Sequence, residues 1–261
     1  MNAALRTAAS GMMAQQTRTE VIANNLANVN TTGFKRSRAQ FQDLLYQTVQ
    51  STGVIGSPDA NTTAAIQVGR GTRLSGILRM SAQGTLEQTG RPLDVAIEGE
   101  GYFQVQLPTG STAYTRDGGF QISDQGTLTT NGGDPVIPGI HIPPEAVNVS
   151  ISRTGVVSYV RKEADTVELG RVEIARFANP TGLFSQGGNL FTETAASGQA
   201  ITGFPTDDGM GQLVQGSLEG SNVEVVQEMV DMITAQRAYE LNSKTLKATD
   251  EMSQVANEIV R

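Results

Sequence analysis

Two glutamates separated by one glycine could do chemistry as an acid and a base. Glu98 and Glu100 flank Gly99 in the segment "EGEG". Glycosidases use a pair of carboxylates in a cleft, one as acid and one as base or nucleophile. Glycine on both sides of Glu100 instead favours a tight surface turn. An extracytoplasmic polysaccharide-acting enzyme therefore stays an alternative that needs these carboxylates to converge in a cleft.

Other residues that could bind a metal or a phosphate have no accompanying motif. His141 is the single histidine, and prolines follow it closely in "HIPP". Asp207 and Asp208 are adjacent, which does not match the spacing of a calcium-binding loop. The segment "GRGTR" at 69–73 lacks the lysine and hydroxyl residue of a phosphate-binding loop. The sequence predicts no catalytic residue, no metal and no cofactor.

Charge and cysteine content exclude further classes of function. The net charge of −7 gives no reason to expect nucleic acid or an anionic membrane as a partner. The basic group Lys35, Arg36 and Arg38 therefore favours a contact with protein. Absence of cysteine excludes disulfides and thiolate chemistry. The first residues do not resemble a secretory signal, so we expect any export to proceed without a cleaved signal peptide.

Proline and glycine divide the chain into helical ends and a β-rich middle. All nine prolines lie from Pro58 to Pro205, and no glycine follows Gly220. Helix interiors exclude proline and are weakened by glycine. We therefore predict four parts: an N-terminal helix at 1–34, an extended connector at 35–70, a β-rich domain at 71–220 and a C-terminal helix at 221–261. The two helices together would form an inner domain, and the β-rich part an outer one.

Both helices carry apolar residues at the spacing of a coiled coil. The N-terminal pattern consists of Leu5, Ala8, Met12, Gln15, Thr19, Ile22, Leu26 and Val29. The C-terminal pattern has two stripes joined by a four-residue step through Arg237. The first stripe is Val223, Val226, Val230 and Ile233, and the second is Leu241, Thr245, Ala248, Met252, Val255 and Ile259. Gly33 is expected to stop the first helix, and Ser221 or Asn222 to cap the second, with Glu224 in its first turn. The predicted fold is α+β, with the terminal helices paired as an antiparallel coiled coil.

The middle of the chain alternates apolar and polar residues between turn signals. Strands are expected around Val95 and Ile97, around Phe103 to Leu107, and around Phe120 and Ile122. Later strands are expected at Val147–Ser152, Val156–Arg161, Val167–Phe177 and Leu190–Glu193. Such short strands predict an antiparallel sheet, barrel or sandwich.

Motifs at both ends resemble those of the bacterial flagellar rod and hook protein family. The N-terminal segment "IANNLANVNTTGFKR" and the C-terminal segment "EGSNVEVVQEMVDMITAQRAYEL" resemble the family's terminal motifs. The segments "LDVAIEGEGYFQV" and "YTRDGGF" are similar to its central region, so the resemblance covers nearly the whole chain. The segments "FQDLLYQTV" and "IQVGRGTR" and the chain length are most similar to the members that form the distal rod.

This resemblance implies a structural axial subunit that polymerises helically into a hollow driveshaft and export channel. A proximal rod or hook subunit is the alternative within the family. The implied partners are further copies of the chain, proximal rod proteins, hook protein, the bushing rings of the outer membrane and peptidoglycan, and the flagellar type III export apparatus. No nucleic acid or small-molecule substrate is implied. The implied location is the basal body, from the periplasm to the outer membrane.

The resemblance and the helix patterns together select the residues expected to mediate assembly. At the N-terminal end they are Leu5, Met12, Ile22, Asn24, Asn25, Leu26, Asn28, Gly33 and Phe34. At the C-terminal end they are Asn222, Val226, Ile233, Gln236, Arg237, Tyr239, Leu241 and Met252. Asparagine both donates and accepts hydrogen bonds, so Asn24, Asn25 and Asn28 are expected to find partners on neighbouring subunits.

Overall fold

The computed structural model of the protein describes residues 3–50, 66–146, 148–160, 166–207 and 209–259. The chain forms two compact units. The first comprises Ser37–Leu78 and the described parts of Met1–Leu26 and Val225–Arg261. The second comprises Ala27–Arg36 and the described parts of Arg79–Glu224. The sequence prediction of helical ends around a β-rich middle with antiparallel sheets is confirmed. Neither helix, in the part of the chain described, is long and apolar enough to cross a membrane.

The two helices are α1 (Ala3–Ala27) and α2 (Val225–Ile259). Between them in the chain come β1 (Ser37–Asp43), β2 (Gln47–Gln50), β3 (Ile66–Val68) and β4 (Thr72–Arg79). β1 pairs with β4, and β2 pairs with β3 in antiparallel orientation. The helices and these two small ladders make up most of the first unit.

The predicted connector is richer in regular structure than the sequence indicated. Its described residues include β1, β2 and β3, while residues 51–65 lie outside the description. The strand partner of β1 is β4, which follows the connector in the chain. Leu44 N donates to Gly71 O at 2.9 Å near the end of this ladder. The partner of β1 lies outside the connector, and a single sequence does not indicate which strands pair.

The second helix begins four residues later than predicted, at Val225. Asn222 is not its N-cap, because its side chain is already bonded to other segments. Its Oδ1 accepts from Arg36 N at 2.6 Å, and its Nδ2 donates to the backbone of Met80 and Ala82. Glu224 precedes the helix, and the acidic residue in the first turn is Glu228.

The first helix also ends before its predicted stop. α1 ends at Ala27, and the chain then makes turns up to Gly33, which has a φ of 67°. A left-handed backbone of this kind favours glycine. A Cβ at Gly33 would also come within 2.9 Å of the backbone of Arg116 and Asp117. Gly33 is therefore needed for a close backbone approach in the second unit as well as for its φ.

The second unit is built from short antiparallel strands. They are β5 (Leu86–Gln88), β6 (Val95–Glu98), β7 (Tyr102–Gln106), β8 (Thr112–Thr115), β9 (Phe120–Ile122), β10 (Leu128–Thr130), β11 (Asn148–Ile151), β12 (Val156–Val160), β13 (Thr166–Arg171), β14 (Ile174–Arg176), β15 (Phe184–Gly187), β16 (Leu190–Thr192), β17 (Ile201–Gly203), β18 (Gln212–Gln215) and β19 (Ser217–Glu219). Six of them form the largest sheet, in the order β15-β16-β8-β7-β14-β17. A three-stranded sheet β11-β12-β13 and the pairs β5-β19, β6-β18 and β9-β10 complete the unit.

Most predicted strands are present, and one of them is divided into two strands. The segment predicted as a single strand at Val167–Phe177 forms β13 in the three-stranded sheet and β14 in the six-stranded sheet. The predicted strand ends Val147 and Arg161 lie outside the described residues. Apolar side chains from several sheets meet in one core that includes Phe103, Phe120 and Ile174.

Candidate assembly interface

Small and polar side chains form the contact between α1 and α2. The buried positions of α2 include Glu228, Ala235 and Thr249, which recur at intervals of seven and fourteen residues. On α1, a Cβ at Gly11 would lie 2.9 Å from Asn242 Nδ2. Further along, Arg18 Nη2 lies 3.1 Å from Asp231 Oδ1. The absence of a side chain at Gly11 leaves room for Asn242, and the other two contacts between the helices, Arg18 with Asp231 and Asn25 with Glu228, are polar.

Five of the apolar residues predicted on α2 lie on the other side of the helix, whereas Val223 is buried and precedes α2. Val226 is 71 % exposed, Val230 51 %, Ile233 47 %, Leu241 63 % and Met252 64 %. At ~100° per residue, Val226 lies about 200° around the helix from buried Glu228. We refer to Val226, Val230, Ile233, Leu241 and Met252 as the α2 stripe. Within the subunit this stripe is exposed, although its spacing is that of a packed helix face.

Asn25 joins three segments of the first unit. It is 1 % exposed near the end of α1. Its Nδ2 donates to Ser37 O at 2.8 Å and to Glu228 Oε2 at 3.1 Å, and its Oδ1 accepts from Ser37 N at 2.9 Å. The expectation from the sequence was that such asparagines would find partners on neighbouring subunits. For Asn25 the structure gives partners within the chain: the first residue of β1 and the first turn of α2.

Replacing Asn25 with leucine is expected to destabilise the first unit by about 3 kcal/mol or more. The change removes one hydrogen bond from the buried Glu228 carboxylate and two from the backbone of Ser37. Each backbone group that is left unsatisfied costs about 1–3 kcal/mol. The control is Gln236→Leu, which replaces an exposed amide on α2; Asn24, next to Asn25, is also exposed. The measurement is helical circular dichroism during denaturant unfolding of the full chain. An equal loss of stability in both variants would contradict this role of Asn25.

The remaining residues predicted on the helices occupy different environments. Ile22 is buried, whereas Leu5, Met12, Leu26 and Asn28 are partly buried. Thr31 Oγ1 donates to Asn28 Oδ1 at 3.2 Å in the turn after α1. Gln236, Arg237 and Tyr239 are exposed on α2, and Gln236 and Tyr239 line a groove that α1 also borders.

Gly33 and Phe34 lie in the second unit, where the N-terminal motif meets the C-terminal one. Gly33 N donates to Glu219 O at 2.8 Å, and Phe34 O accepts from Asn222 N at 3.4 Å. Thr32 Oγ1 donates to Asp117 Oδ1 at 2.9 Å. The segments "TTGFKR", "TRDGGF" and "LEGSN" therefore converge in space, although they are distant in sequence.

A buried charge cluster lies at this convergence, and sequence reasoning missed it. Lys35 Nζ lies 2.5 Å from Glu219 Oε1, and Arg116 Nε lies 2.6 Å from Glu219 Oε2. All three residues are 6 % exposed or less. Arg116 also donates to the backbone carbonyls of Gly99 and Gly101. Lys35 is thus a buried structural residue and not part of the surface protein contact that its neighbours Arg36 and Arg38 suggested.

The cluster shifts the ionisation of its members. Burial by itself would raise the pKa of Glu219, but the charge of Arg116 and the hydrogen bonds from Lys35 and Gly84 N outweigh it and lower that pKa. Burial lowers the pKa of Lys35, and the hydrogen bond to Glu219 opposes this shift. One carboxylate therefore neutralises part of the charge of two cations. The sequence offered one signal: each of the three residues lies inside a segment that resembles a motif of the rod and hook protein family.

The candidate catalytic residues do not form a common site. Glu98 Oε2 accepts from Gln212 Nε2 at 2.6 Å, whereas Glu100 Oε2 lies 3.9 Å from Arg176 Nη1. His141 is exposed. Asp207 Oδ2 accepts from Phe204 N at 3.0 Å in a turn, and its neighbour Asp208 lies outside the description. Across the described ranges, histidines and carboxylates form no group of three that could hold a metal ion.

Three family models match the chain, and the matched regions contain the three residues of the charge cluster. The model of the "Flagella basal body rod protein" matches residues 5–35. The model of the "Flagellar hook protein FlgE/F/G D1 domain" matches residues 96–159. The model of the "Flagellar basal body rod FlgEFG protein C-terminal" matches residues 214–259. These matches cover α1 with the turn after it, a large part of the second unit, and α2 with the strands before it.

Whole-length relatives distinguish one branch of this family. The flagellar basal-body rod protein FlgG of Borreliella burgdorferi is 48 % identical, with 100 % of both chains covered. FlgG of Caulobacter vibrioides is 48 % identical over 98 % of each chain. FlgF of the same bacterium is 33 % identical over 99 % of this chain and 98 % of its own. The chain therefore belongs to the FlgG family of flagellar basal-body rod proteins, which are structural proteins and not enzymes.

Proposed function

We propose that the protein polymerises helically into the distal rod, the hollow shaft that transmits torque to the hook and serves as an export channel. The observation that carries the proposal is the exposed α2 stripe. Five large apolar side chains at helical spacing, each 47–71 % exposed, would be costly to leave in water. Neighbouring subunits packed against α2 would bury them. Family membership supplies the setting in which such neighbours occur.

Contacts between α1 and α2 support an antiparallel coiled coil in the inner part of the rod. Successive residues of α1, Gly11, Arg18 and Asn25, approach residues of α2 in reverse order: Asn242, Asp231 and Glu228. In this arrangement the predicted assembly residues divide into two groups. Ile22 and Asn25 hold the subunit together, while Val226, Ile233, Arg237, Leu241 and Met252 contact further subunits.

The four-part division of the chain remains part of the proposal. Residues 1–34 and 221–261 would form the inner coiled coil, 35–70 the connector and 71–220 the outer β-rich domain. An open helical polymer requires head-to-tail contacts between unlike surfaces of identical copies. In the rod, each copy would therefore present at least two complementary surfaces.

The proposed partners follow from the position of a distal rod. They are further copies of the chain, proximal rod proteins at one end, hook protein at the other, and the bushing rings of the outer membrane and peptidoglycan around the outside. The flagellar type III export apparatus would deliver the subunit. The proposed location is the basal body, from the periplasm to the outer membrane.

The experiment that tests the proposal is electron cryomicroscopy of hook–basal bodies purified from the source bacterium. We expect density for this chain in the rod segment between the proximal rod and the hook, with α1 and α2 nearest the axis. A strain lacking the chain is the control and should lack that segment. Density for the chain only in the proximal rod or only in the hook would contradict the assignment to the distal rod.

A further inference from the structure

An acidic groove runs between α1 and α2 in the first unit. Its volume is about 580 Å³, and its lining includes Glu20 and Ala23 from α1 and Tyr239 and Glu240 from α2. Gln16 Nε2 donates to Glu20 Oε1 at 3.1 Å. Within the described part of the chain, neither glutamate has an ion pair with a cation. Two carboxylates thus border a groove that also offers the ring of Tyr239.

A basic groove lies at the other end of α1. Its volume is about 400 Å³, and its lining includes Arg6, Ser10, Leu45 and Arg70. The side chain of Leu45 is 88 % exposed. Considering only described residues, neither arginine has an ion pair with a carboxylate. Two arginines therefore flank an apolar side chain that extends into solvent.

One charged residue from each groove, Arg6 and Glu20, lies on nearly the same side of α1. Arg6 and Glu20 are separated by fourteen residues, which at ~100° and ~1.5 Å per residue places them about 40° apart around the axis and about 21 Å apart along it. Met13 lies midway between them and is 71 % exposed. Along this side of α1, a basic residue (Arg6), an exposed apolar residue (Met13) and an acidic residue (Glu20) therefore follow one another. A second α1 in parallel orientation, displaced by about two heptads, would oppose Arg6 to Glu20.

We propose that the two grooves are the two halves of one contact between copies of this chain. Arg6 and Arg70 of one copy pair with Glu20 and Glu240 of the next, and Leu45 packs between them against Tyr239. The contact is head-to-tail, because the surfaces differ and each copy carries one of each. This inference rests on the proposed function and identifies which surfaces continue the polymer.

Charge complementarity selects a second copy as the occupant. Two arginines on one surface match two glutamates on the other, and opposed charges of unlike sign fix the register and suppress other pairings. An apolar side chain surrounded by charged ones matches the usual composition of a contact, which has an apolar centre and a polar rim. Since both surfaces belong to every copy, the same contact repeats along the polymer without additional partners.

Charge reversal tests the pairing in the source bacterium. Glu20→Arg with Glu240→Arg, or Arg6→Glu with Arg70→Glu, opposes like charges and is expected to reduce the number of rods per cell at least about tenfold. All four changes in one chain restore unlike charges at every contact and should restore most rods. The control is Asp124→Arg with Glu168→Arg, which makes the same charge change at exposed positions of the second unit.

Cross-linking gives a second readout that leaves the charges in place. The chain has no cysteine, so Ser10→Cys and Ala23→Cys in one chain place one thiol in each groove. The two positions are thirteen residues apart in α1, which spans about 20 Å and is too far for a short bis-maleimide to join them within one copy. We expect a ladder of dimers, trimers and longer species from isolated basal bodies, and monomers from either single variant.

Several results would overturn the pairing and leave the proposed function intact. They are normal rod numbers in either two-residue variant, failure of the four-residue variant to assemble, an equal loss in the control, or rods of the double-cysteine chain without a ladder. If the wild-type chain is itself missing from isolated rods, the proposed function fails first. The two proposals therefore fail by different observations.

Discussion

Replacing Glu219 with alanine is expected to lower the free energy of unfolding of the second unit by about 3–5 kcal/mol. The change leaves Lys35 and Arg116 buried next to each other without their shared carboxylate. Removing one partner of a buried ion pair is costly because the remaining charge is neither hydrated nor neutralised. It also frees the backbone NH of Gly84, which donates to Glu219 Oε1 at 3.0 Å. The measurement is urea unfolding of the purified chain, followed by tyrosine fluorescence.

Two companion variants make this prediction specific to the cluster. Lys35→Met should cost less than Glu219→Ala, because Glu219 and Arg116 still neutralise each other. Glu168→Ala removes an exposed carboxylate and should change stability by less than about 0.5 kcal/mol. An effect of Glu219→Ala no larger than that of Glu168→Ala would show that the cluster adds nothing to stability.

The same cluster predicts a dependence of stability on pH. The lowered pKa of Glu219 means that the folded state holds this carboxylate ionised more strongly than the unfolded state, whose pKa is near 4.5. Its contribution is therefore complete above pH 4.5 and is lost as the pH falls through this value towards the lower folded pKa. The Glu219→Gln variant, which lacks this contribution, should lose less stability than wild type over that acid range.

Period-two alternation predicted the strands in the second unit, and it failed where a segment changes sheets. Val95 and Ile97 are buried in β6 as their spacing indicates. The run from Val167 to Phe177 was predicted as one strand, yet β13 and β14 belong to different sheets. The apolar residues shift from Val167 and Leu169 to Val172 and Ile174, which changes the phase of the alternation where the two strands divide. Alternation does not fully report burial, because Ala96 is buried between Val95 and Ile97. It also carries no information about which strand lies alongside. The change of phase was a local signal for the division, and the prediction of a single strand overlooked it.

The charge cluster could not be predicted for a related reason. Lys35, Arg116 and Glu219 are separated by 81 and 103 residues along the chain, so no local pattern connects them. Each occurs within a recognisable motif, but a motif gives residue identity and not proximity. The fold supplies the missing relation, since the turn after α1 and the end of β19 meet near Arg116. A single sequence therefore indicated the segments and not their ion pairs.

For the helices, too, the sequence pattern indicated an apolar face but not which face contacts the other helix. Heptad spacing on α2 predicted a seam for pairing with α1, whereas the α2 stripe is exposed in the subunit. It did not indicate that α1 contacts the opposite, polar face through Asp231 and Glu228. A helix with one face bonded within the chain and another left apolar can be stable in the subunit and still have surface to bury later. That distribution is what a polymer subunit requires, and it motivates a direct test of the α2 stripe.

Leu241→Asp is expected to abolish rod formation and swimming while leaving the stability of the subunit nearly unchanged. Leu241 is 63 % exposed, so a polar residue there should change the free energy of unfolding by less than about 0.5 kcal/mol. In the polymer the same side chain would be buried against a neighbour, where an unpaired carboxylate is strongly unfavourable. The measurements are swimming in soft agar, counts of rods on isolated basal bodies and urea unfolding of the purified variant.

Leu241→Met is the matched control, because methionine keeps the apolar surface and nearly the same volume. It should swim and assemble rods like the wild-type chain. If Leu241→Asp also assembles normally, the α2 stripe faces water in the polymer and the observation that carries the proposed function is lost. If Leu241→Asp instead unfolds the purified subunit, the stripe stabilises the subunit itself. The contrast between lost assembly and retained stability is therefore the result that ties this apolar face to polymerisation.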